Sequence, residues 1–349
     1  MAGRDIIVIG ASAGGFEPLL RLAEDLPAGL PATVLVAMHT GPDNPGILPE
    51  MLSRVSKLRA RYPVDGDSLV HGTIMVAPAD HHLLVEGEGV SVTRGPRENG
   101  FRPAIDPLFR TAAAHHGPRV TGVVLSGGLN DGTYGLMQIK HAGGVAVVQR
   151  VEEAIVKSMP LSAIRAVEID HIVGIDEMAP LLARLARTPA GDGGRVMPMN
   201  RKKRDPAVRG THALHANQFD GPPSAFTCPE CGGALWEKRN GHLVRFSCHV
   251  GHSYTAEGLV AEQHNGVEMA LWSAVRALEE HAELHRRLAH GADERGLAVI
   301  AKGYAERANG SEHHANMIRE VLMKDEAPRP RRAAPRRERR IARAASRRR

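Results

Sequence analysis

Aromatic side chains are scarce in this sequence: six Phe, two Trp and four Tyr make up 3% of 349 residues. The core must therefore come from Val, Leu, Ile and Ala, and the ring-lined platforms on which single-stranded nucleic acids stack are not expected. Cysteine is almost absent, at three residues, Cys228, Cys231 and Cys248. An odd number confined to one short segment excludes a disulfide framework and leaves a metal site or free thiols in a reducing compartment. No run approaches the about 18 consecutive apolar residues of a membrane-spanning helix, and Ile6 to Ile9 is too short for the apolar part of a signal peptide. A soluble, cytoplasmic protein with no membrane span is the expectation.

Excess positive charge is also missing from most of the chain. The net charge is +6, but residues 327–349 hold eleven Arg and one Glu, so residues 1–326 carry −4. Specific nucleic-acid binding is disfavoured on that ground. The Arg-rich tail, 326–349, is interrupted by Pro328, Pro330 and Pro335 and cannot bury apolar surface. It is expected to be disordered, either as a solvated extension or as an electrostatic attachment to a polyanion or membrane surface.

The length suits roughly two domains plus connections. From Asp5 to about Ala186, short β-branched runs alternate with helical stretches. The runs are Ile6 to Ile9, Thr33 to Met38, Thr73 to Val76, His82 to Val85, Val120 to Leu125 and Val145 to Val148. Helices are expected near Glu17 to Leu26, Pro45 to Val55, Asp106 to His115, Thr133 to Ala142 and Leu161 to Val167. Continuous apolar runs mark strands buried on both faces, so residues 1–187 read as an α/β domain, doubly wound and Rossmann-like, with a mostly parallel sheet. Residues 188–223 hold no period and read as a linker. A small cysteine-bearing unit follows at 224–256. Val267, Leu271, Val275, Leu278 and Ala282, then Leu297, Ala301, Tyr304 and Ala308 after a break at 290–294, predict a helical hairpin over 257–325.

Gly10-Ala-Ser12-Ala-Gly14 follows the first strand and fits the G-x-S-x-G elbow, which presents a Ser hydroxyl on a sharp strand-to-helix turn. A glycine-rich packing turn or an anion cradle remains open at that point; the dinucleotide fingerprint fails, because position 12 is not Gly. His39 directly follows the strand Thr33 to Met38, and Asp131 follows another strand. Active groups of open α/β sheets gather outside the carboxyl ends of strands, so Ser12, His39 and Asp131 are candidates for one crevice. His39 as a loop histidine and Asp131 as a helix cap or turn residue stay open beside that reading.

Cys228-Pro-Glu-Cys231, sixteen residues, Cys248 and then His252 have the spacing of a zinc ribbon, with an Asn240-Gly241 turn between two strands. Three thiolates and one imidazole close a tetrahedral site, which implies structural Zn²⁺; His249 is the rival fourth ligand. The ribbon reads as an appendage separated from the crevice by the linker, whose loss of metal leaves hydrolysis intact.

Residues 5 to about 186 resemble the catalytic domain of the chemotaxis protein-glutamate methylesterases, the CheB family. The segments that carry the resemblance are Ile7-Val-Ile-Gly-Ala-Ser-Ala-Gly-Gly15, Met38-His39, Val76-Ala-Pro78, Arg102-Pro-Ala-Ile-Asp-Pro-Leu-Phe109, Leu125-Ser-Gly-Gly-Leu-Asn-Asp-Gly132 and Met159-Pro-Leu-Ser-Ala-Ile164. The resemblance implies Ser12 as nucleophile, His39 as general acid and base, and Asp131 as the carboxylate that orients it. It implies methyl esters of receptor glutamates as substrate, with glutamine deamidation as a second activity. The backbone amides of Ala13 and Gly128 would hold the oxyanion, and no cofactor serves catalysis. Ala13 and Gly128 depart from the residues usual in that family. The partners implied are a methylated chemoreceptor-like protein, with a cognate methyltransferase or response regulator. Control by an attached receiver domain is not expected, since the first strand begins at residue 5. The resemblance extends to a Cys-Pro-x-Cys and Gly-His appendage carried by some receiver-less members. The competing reading is a non-catalytic signalling regulator that uses the same fold to bind a partner.

Overall fold

In β1 (Ile6–Ala11), β2 (Thr33–Met38), β4 (Thr73–Val76), β7 (Val120–Val124) and β8 (Val145–Gln149), nearly every residue is buried. Such strands need cover on both faces. The computed structural model describes residues 3–191, 221–241 and 243–325. With β3 (Arg59–Arg61) and β9 (His171–Val173), these strands form a seven-stranded sheet in the order β3-β4-β2-β1-β7-β8-β9, and every neighbouring pair is parallel.

Alternation along β1 divides the core. Ile7 and Ile9 face α1 (Phe16–Asp25), α2 (Leu48–Val55) and α6 (Ile175–Arg187), whereas Ile6 and Val8 face α3 (Ile105–His116), α4 (Thr133–His141) and α5 (Ser158–Ala166). The doubly wound α/β expectation holds. The run at His82 to Val85 is a strand, β5 (His82–Glu86), but it lies outside the parallel sheet. It forms an antiparallel hairpin with β6 (Gly89–Thr93) and contributes Leu83 and Val85 to the core against α3. The short edge strands β3 and β9 and the helix α6 were not expected from the sequence; three residues are too few to establish a period.

The second sheet is the ribbon. Strands β10 (Pro223–Thr227), β11 (Ala234–Asn240), β12 (Leu243–Cys248) and β13 (Ser253–Thr255) pair antiparallel in sequence order. The hairpin at Asn240-Gly241 is where the turn signal puts it, with two further strands flanking it. The first takes in Pro223, the end of the expected linker. Residues 192–220 of that linker and the Arg-rich tail lie outside the described residues.

One compact unit runs through Glu262 and a second begins at Gln263, inside α7 (Ala256–Asp293). The second unit is the helical hairpin of α7 and α8 (Ala298–Asp325). Its seam holds Leu271, Val275 and Leu278 against Ala315, Ile318 and Leu322. Val267 and Leu297, expected on the seam, are exposed. No helix among the described residues is long and apolar enough to cross a membrane.

The strand order switches sides at β1, which has β2 on one side and β7 on the other, and the crevice of such a fold opens there. Close packing beneath it depends on Gly10: a Cβ at this position would lie 2.4 Å from Cγ2 of Ile105, at the start of α3. Gly10→Ala should therefore destabilise the protein by about 1–3 kcal/mol through overpacking. Urea unfolding of both proteins checks this, and an unchanged midpoint would mean that Ile105 accommodates the methyl group.

Candidate active site and metal centre

The sheet ladder continues past the strand ends and sets the crevice. The Ser12 amide donates to Ser126 O at 3.0 Å, His39 N to Ala11 O at 3.0 Å, and Leu125 N to Gly10 O at 2.9 Å. These bonds bring residues that leave β1, β2 and β7 side by side. Ser12 Oγ lies 3.0 Å from His39 Nδ1, and His39 Nε2 lies 2.7 Å from Asp131 Oδ2. With the proton on Nε2 directed at the carboxylate, Nδ1 keeps its lone pair for the Ser12 hydroxyl. The imidazole is stacked on Phe101, with ring centroids 3.7 Å apart and planes 9° apart, which fixes the ring plane. The three residues that the sequence marks as candidates are thus brought together.

Asp131 is buried, and its charge is met from several sides. Oδ2 also accepts from the Ile105 amide at 2.7 Å, and Oδ1 from the Asp106 amide at 3.2 Å and its own neighbour Gly132 at 3.0 Å. The first two amides open α3, so a helix N-terminus is directed at the carboxylate. Asn99 Nδ2 donates to Oδ1 at 3.0 Å. Burial opposes the charge, but the bonds from His39, Ile105 and Asn99 outweigh it and hold the Asp131 carboxyl below its ordinary value. Asp106, next to it, is the opposite case. Burial, reinforced by the charge of Asp131, pushes its carboxyl up to about 7.

Ser126 shapes the floor: its hydroxyl donates to Ala13 O at 3.0 Å and accepts from Val156 N at 2.9 Å. Gly127 leaves no room for a side chain, since a Cβ would meet Met159 Sδ at 2.0 Å. A Cβ on Gly128, by contrast, would have nothing within 4 Å. No hydrogen bond from the amide of Ala13 or Gly128 occurs among the described residues.

The ribbon gathers a second set of groups. One donor atom each from Cys228, Cys231, Cys248 and His252 lie within 4.8 Å of one another. Cys228 Sγ and Cys248 Sγ stand 3.6 and 3.5 Å from His252 Nδ1, and Cys231 Sγ stands 3.6 Å from Cys248 Sγ. Zn–S bonds of about 2.3 Å and Zn–N bonds of about 2.0 Å in a tetrahedron give edges of roughly 3.5–3.8 Å, so the donor set fits that ion. His252, and not His249, belongs to the cluster, and its Nε2 meets Glu230 Oε2 at 3.2 Å, the second-sphere carboxylate that metal-bound histidines commonly have. Burial and the charge of Cys228 push the Cys248 thiol up to about 12, and a bound cation would favour its thiolate.

The ribbon does not stand apart from the crevice that holds Ser12, His39 and Asp131. Residues 97–99 lie along the free edge of β13: Ser253 N donates to Arg97 O at 3.3 Å and Asn99 N to Ser253 O at 2.7 Å. Glu98, 1% exposed, takes both guanidinium nitrogens of Arg110 and also Arg245 Nη2 of the ribbon at 2.8 Å. Thr255 N donates to Asn99 Oδ1 at 2.8 Å, and Thr255 Oγ1 to Asn130 Oδ1 at 2.7 Å. The expected separation by the linker fails because residues 97–99 offer backbone groups that β13 satisfies.

Comparison with known proteins agrees with the fold. The family model described as CheB methylesterase matches residues 7–182. The chain belongs to the CheB methylesterase family. A relative from Methanosarcina mazei named protein-glutamate methylesterase/protein-glutamine glutaminase 2 is 34% identical over 192 residues, which cover 53% of this chain and 52% of that one. A Leptospira interrogans relative, a putative enzyme of the same name, is 34% identical over 182 residues, 52% of this chain and 94% of its own length. The crystal structure of the Thermotoga maritima CheB methylesterase catalytic domain superposes with a TM-score of 0.51 at 29% identity, covering 53% of this chain and all of that one. The chain spans about half the length of several of the curated relatives that it matches.

Within the CheB region, the sequence reading missed Asn99, Phe101 and Asp106 as parts of the site. One signal for the first was present. Asn99-Gly100 is an Asn-Gly pair, and both residues adopt positive φ, 53° and 81°, in a tight turn closed by Phe101 N to Glu98 O at 2.9 Å. The turn is readable; the direction of the Asn side chain is not.

Two outcomes are expected. Metal analysis of the purified chain should find one Zn²⁺ per chain, lost in Cys248→Ser; full occupancy in that variant would exclude the four-donor site. The second concerns Asp106. Its folded value lies above that of an unfolded Asp, so between about pH 4 and 7 the native state binds more protons and stability falls as pH rises. Asp106→Asn keeps the acceptor for Gly135 N and should remove that part of the slope, as read by urea midpoints from pH 4 to 8.

Proposed function

We propose that this chain is a protein-glutamate methylesterase that hydrolyses glutamate methyl esters on a chemoreceptor-like protein through Ser12, His39 and Asp131. The observation that carries the reading is the hydroxyl–imidazole–carboxylate chain at the strand exits of a CheB domain. A carboxylate kept ionised deep in the protein, behind an imidazole and a hydroxyl, is arranged as proton transfer requires. That favours catalysis over a partner-binding regulator.

Ser12 Oγ attacks the ester carbonyl carbon while its proton passes to His39 Nδ1. Asp131 accepts from Nε2–H throughout, holds the tautomer and stabilises the imidazolium without taking its proton. The carbonyl oxygen, now negative, is received by the amides of Ala13 and Gly128, each worth roughly 3–4 kcal/mol in comparable sites. The C–O bond to the methoxy group breaks, and His39 returns the proton so that methanol leaves. A water molecule, deprotonated by the same nitrogen, attacks the acyl-enzyme and frees the glutamate carboxyl. The same steps on a glutamine amide release ammonia, a second activity that the relatives' names include. None of these steps passes through the ribbon's metal.

The test is methanol release from a methylated receptor fragment. Ser12→Ala should lower the rate by roughly 10⁴-fold or more with unfolding unchanged, since the hydroxyl's hydrogen-bond partner is His39. His39→Ala combined with Ser12→Ala should be no slower than either alone. Release at the wild-type rate from Ser12→Ala defeats the mechanism, and additive losses mean that the residues do not act as a unit.

A further inference from the structure

Every polar side-chain group of Asn99 is committed, and the commitments run in two directions. Its amide nitrogen Nδ2 donates to catalytic Asp131 at 3.0 Å and also reaches Asp106 Oδ2 at 3.5 Å. Its Oδ1 accepts from the backbone of Thr255, the last residue of β13, and its own N–H donates to Ser253 on the same strand. Asn99 is 2% exposed and holds φ at +53°, the left-handed conformation that Asn takes up in an Asn-Gly turn. The orientation of an Asn side chain is two-fold ambiguous by shape, and here Thr255 decides it. Only with the acceptor oxygen toward the Thr255 amide does the donor face the carboxylate. Asn130, the residue before Asp131, is tied to the same stretch, with Thr255 on its Oδ1 and Glu257 on its Nδ2 at 2.7 Å.

We infer that the ribbon is a positioning module for the triad, acting through a Thr255–Asn99–Asp131 relay, so that the chain's hydrolytic competence depends on the ribbon being folded and docked. Asn99 is the positioning residue. The inference rests on the esterase reading for its consequence, and on the structure alone for the relay. Two features make the docking specific. Residues 97–99 bridge to the free edge of β13, and Arg245 donates to Glu98 Oε2, a buried carboxylate that also pairs with Arg110, in a charge-assisted hydrogen bond. Gly100 completes the fit: a Cβ there would stand 2.4 Å from Glu262 Oε1, at the start of the helix that leaves the ribbon. The four donors that fit Zn²⁺ include Cys248 at the end of β12 and His252 immediately before β13, so that the ion would fix the strand that holds Asn99.

The experiment compares the full chain with its zinc, after chelation and after Zn²⁺ is restored, in wild type and Asn99→Ala. Three readouts are taken: methanol release, the rate of Ser12 labelling by a fluorophosphonate, and the downfield proton resonance of His39 Nε2–H. Chelation of the wild type should slow labelling and lower kcat by roughly 10- to 100-fold, with KM changed little, and should broaden or shift the resonance, all reversed by Zn²⁺. Asn99→Ala should be slow already and respond little to chelation, because the relay is cut at its middle. Equal labelling and an unchanged resonance in chelated and zinc-loaded wild type overturn the inference, as does a full chelation response in Asn99→Ala. If that variant fails to fold, the wild-type resonance with and without zinc decides the question alone. A wild type that neither labels nor releases methanol counts against the esterase reading, while the resonance still tests the relay.

Discussion

A carboxylate almost wholly withdrawn from water has to be met by hydrogen-bond donors on the lone pairs it presents, and the arrangement around Asp131 follows from that requirement. Two backbone amides come from the start of α3, one from Gly132, one side-chain donor from His39 and one from Asn99. Each donor fixes a piece of architecture. α3 must begin at the crevice, which in turn requires that Gly10 leave space for Ile105. His39 must leave β2 beside β1, which the parallel register provides. Asn99 must turn inward from a loop, a position that residues 97–100 hold through the ribbon.

Asp106 clarifies why donors and not burial alone matter. It lies at the same depth and near the same Asn99 nitrogen, yet its value moves in the opposite direction. Gly135 N is the backbone donor that its side chain has, and the neighbouring negative charge makes ionisation costly. Two carboxylates side by side thus divide into one held ionised and one that keeps its proton up to about pH 7. This leaves the charge where the imidazole can use it.

Much of this was legible in the residues. Continuous apolar runs gave the parallel sheet, and the strand exits at Ser12, His39 and Asp131 gave one crevice, since strand ends are local features that position marks. Cysteine spacing likewise placed four donors together. What stayed hidden was of another kind. β5 has a buried strand's composition but belongs to a hairpin, because composition reports burial and not which sheet buries it. Phe101 under the imidazole and Asn99 behind the carboxylate depend on side-chain direction after a turn, which no period encodes. The docking of the ribbon was misread for a related reason. A long linker permits separation without requiring it, and the pairing of residues 97–99 with β13 involves backbone groups that carry no sequence signature.

That pairing also orders events in time. Thr255 stands 156 positions beyond Asn99, whereas the His39–Asp131 contact spans 92. As the chain emerges from the ribosome, Ser12, His39 and Asp131 are all made well before the strand that meets Asn99. Until residues 253–255 have been made, Asn99 therefore lacks the strand that meets its backbone N–H and its side-chain oxygen, and the back of the Asp131 carboxylate lacks that brace.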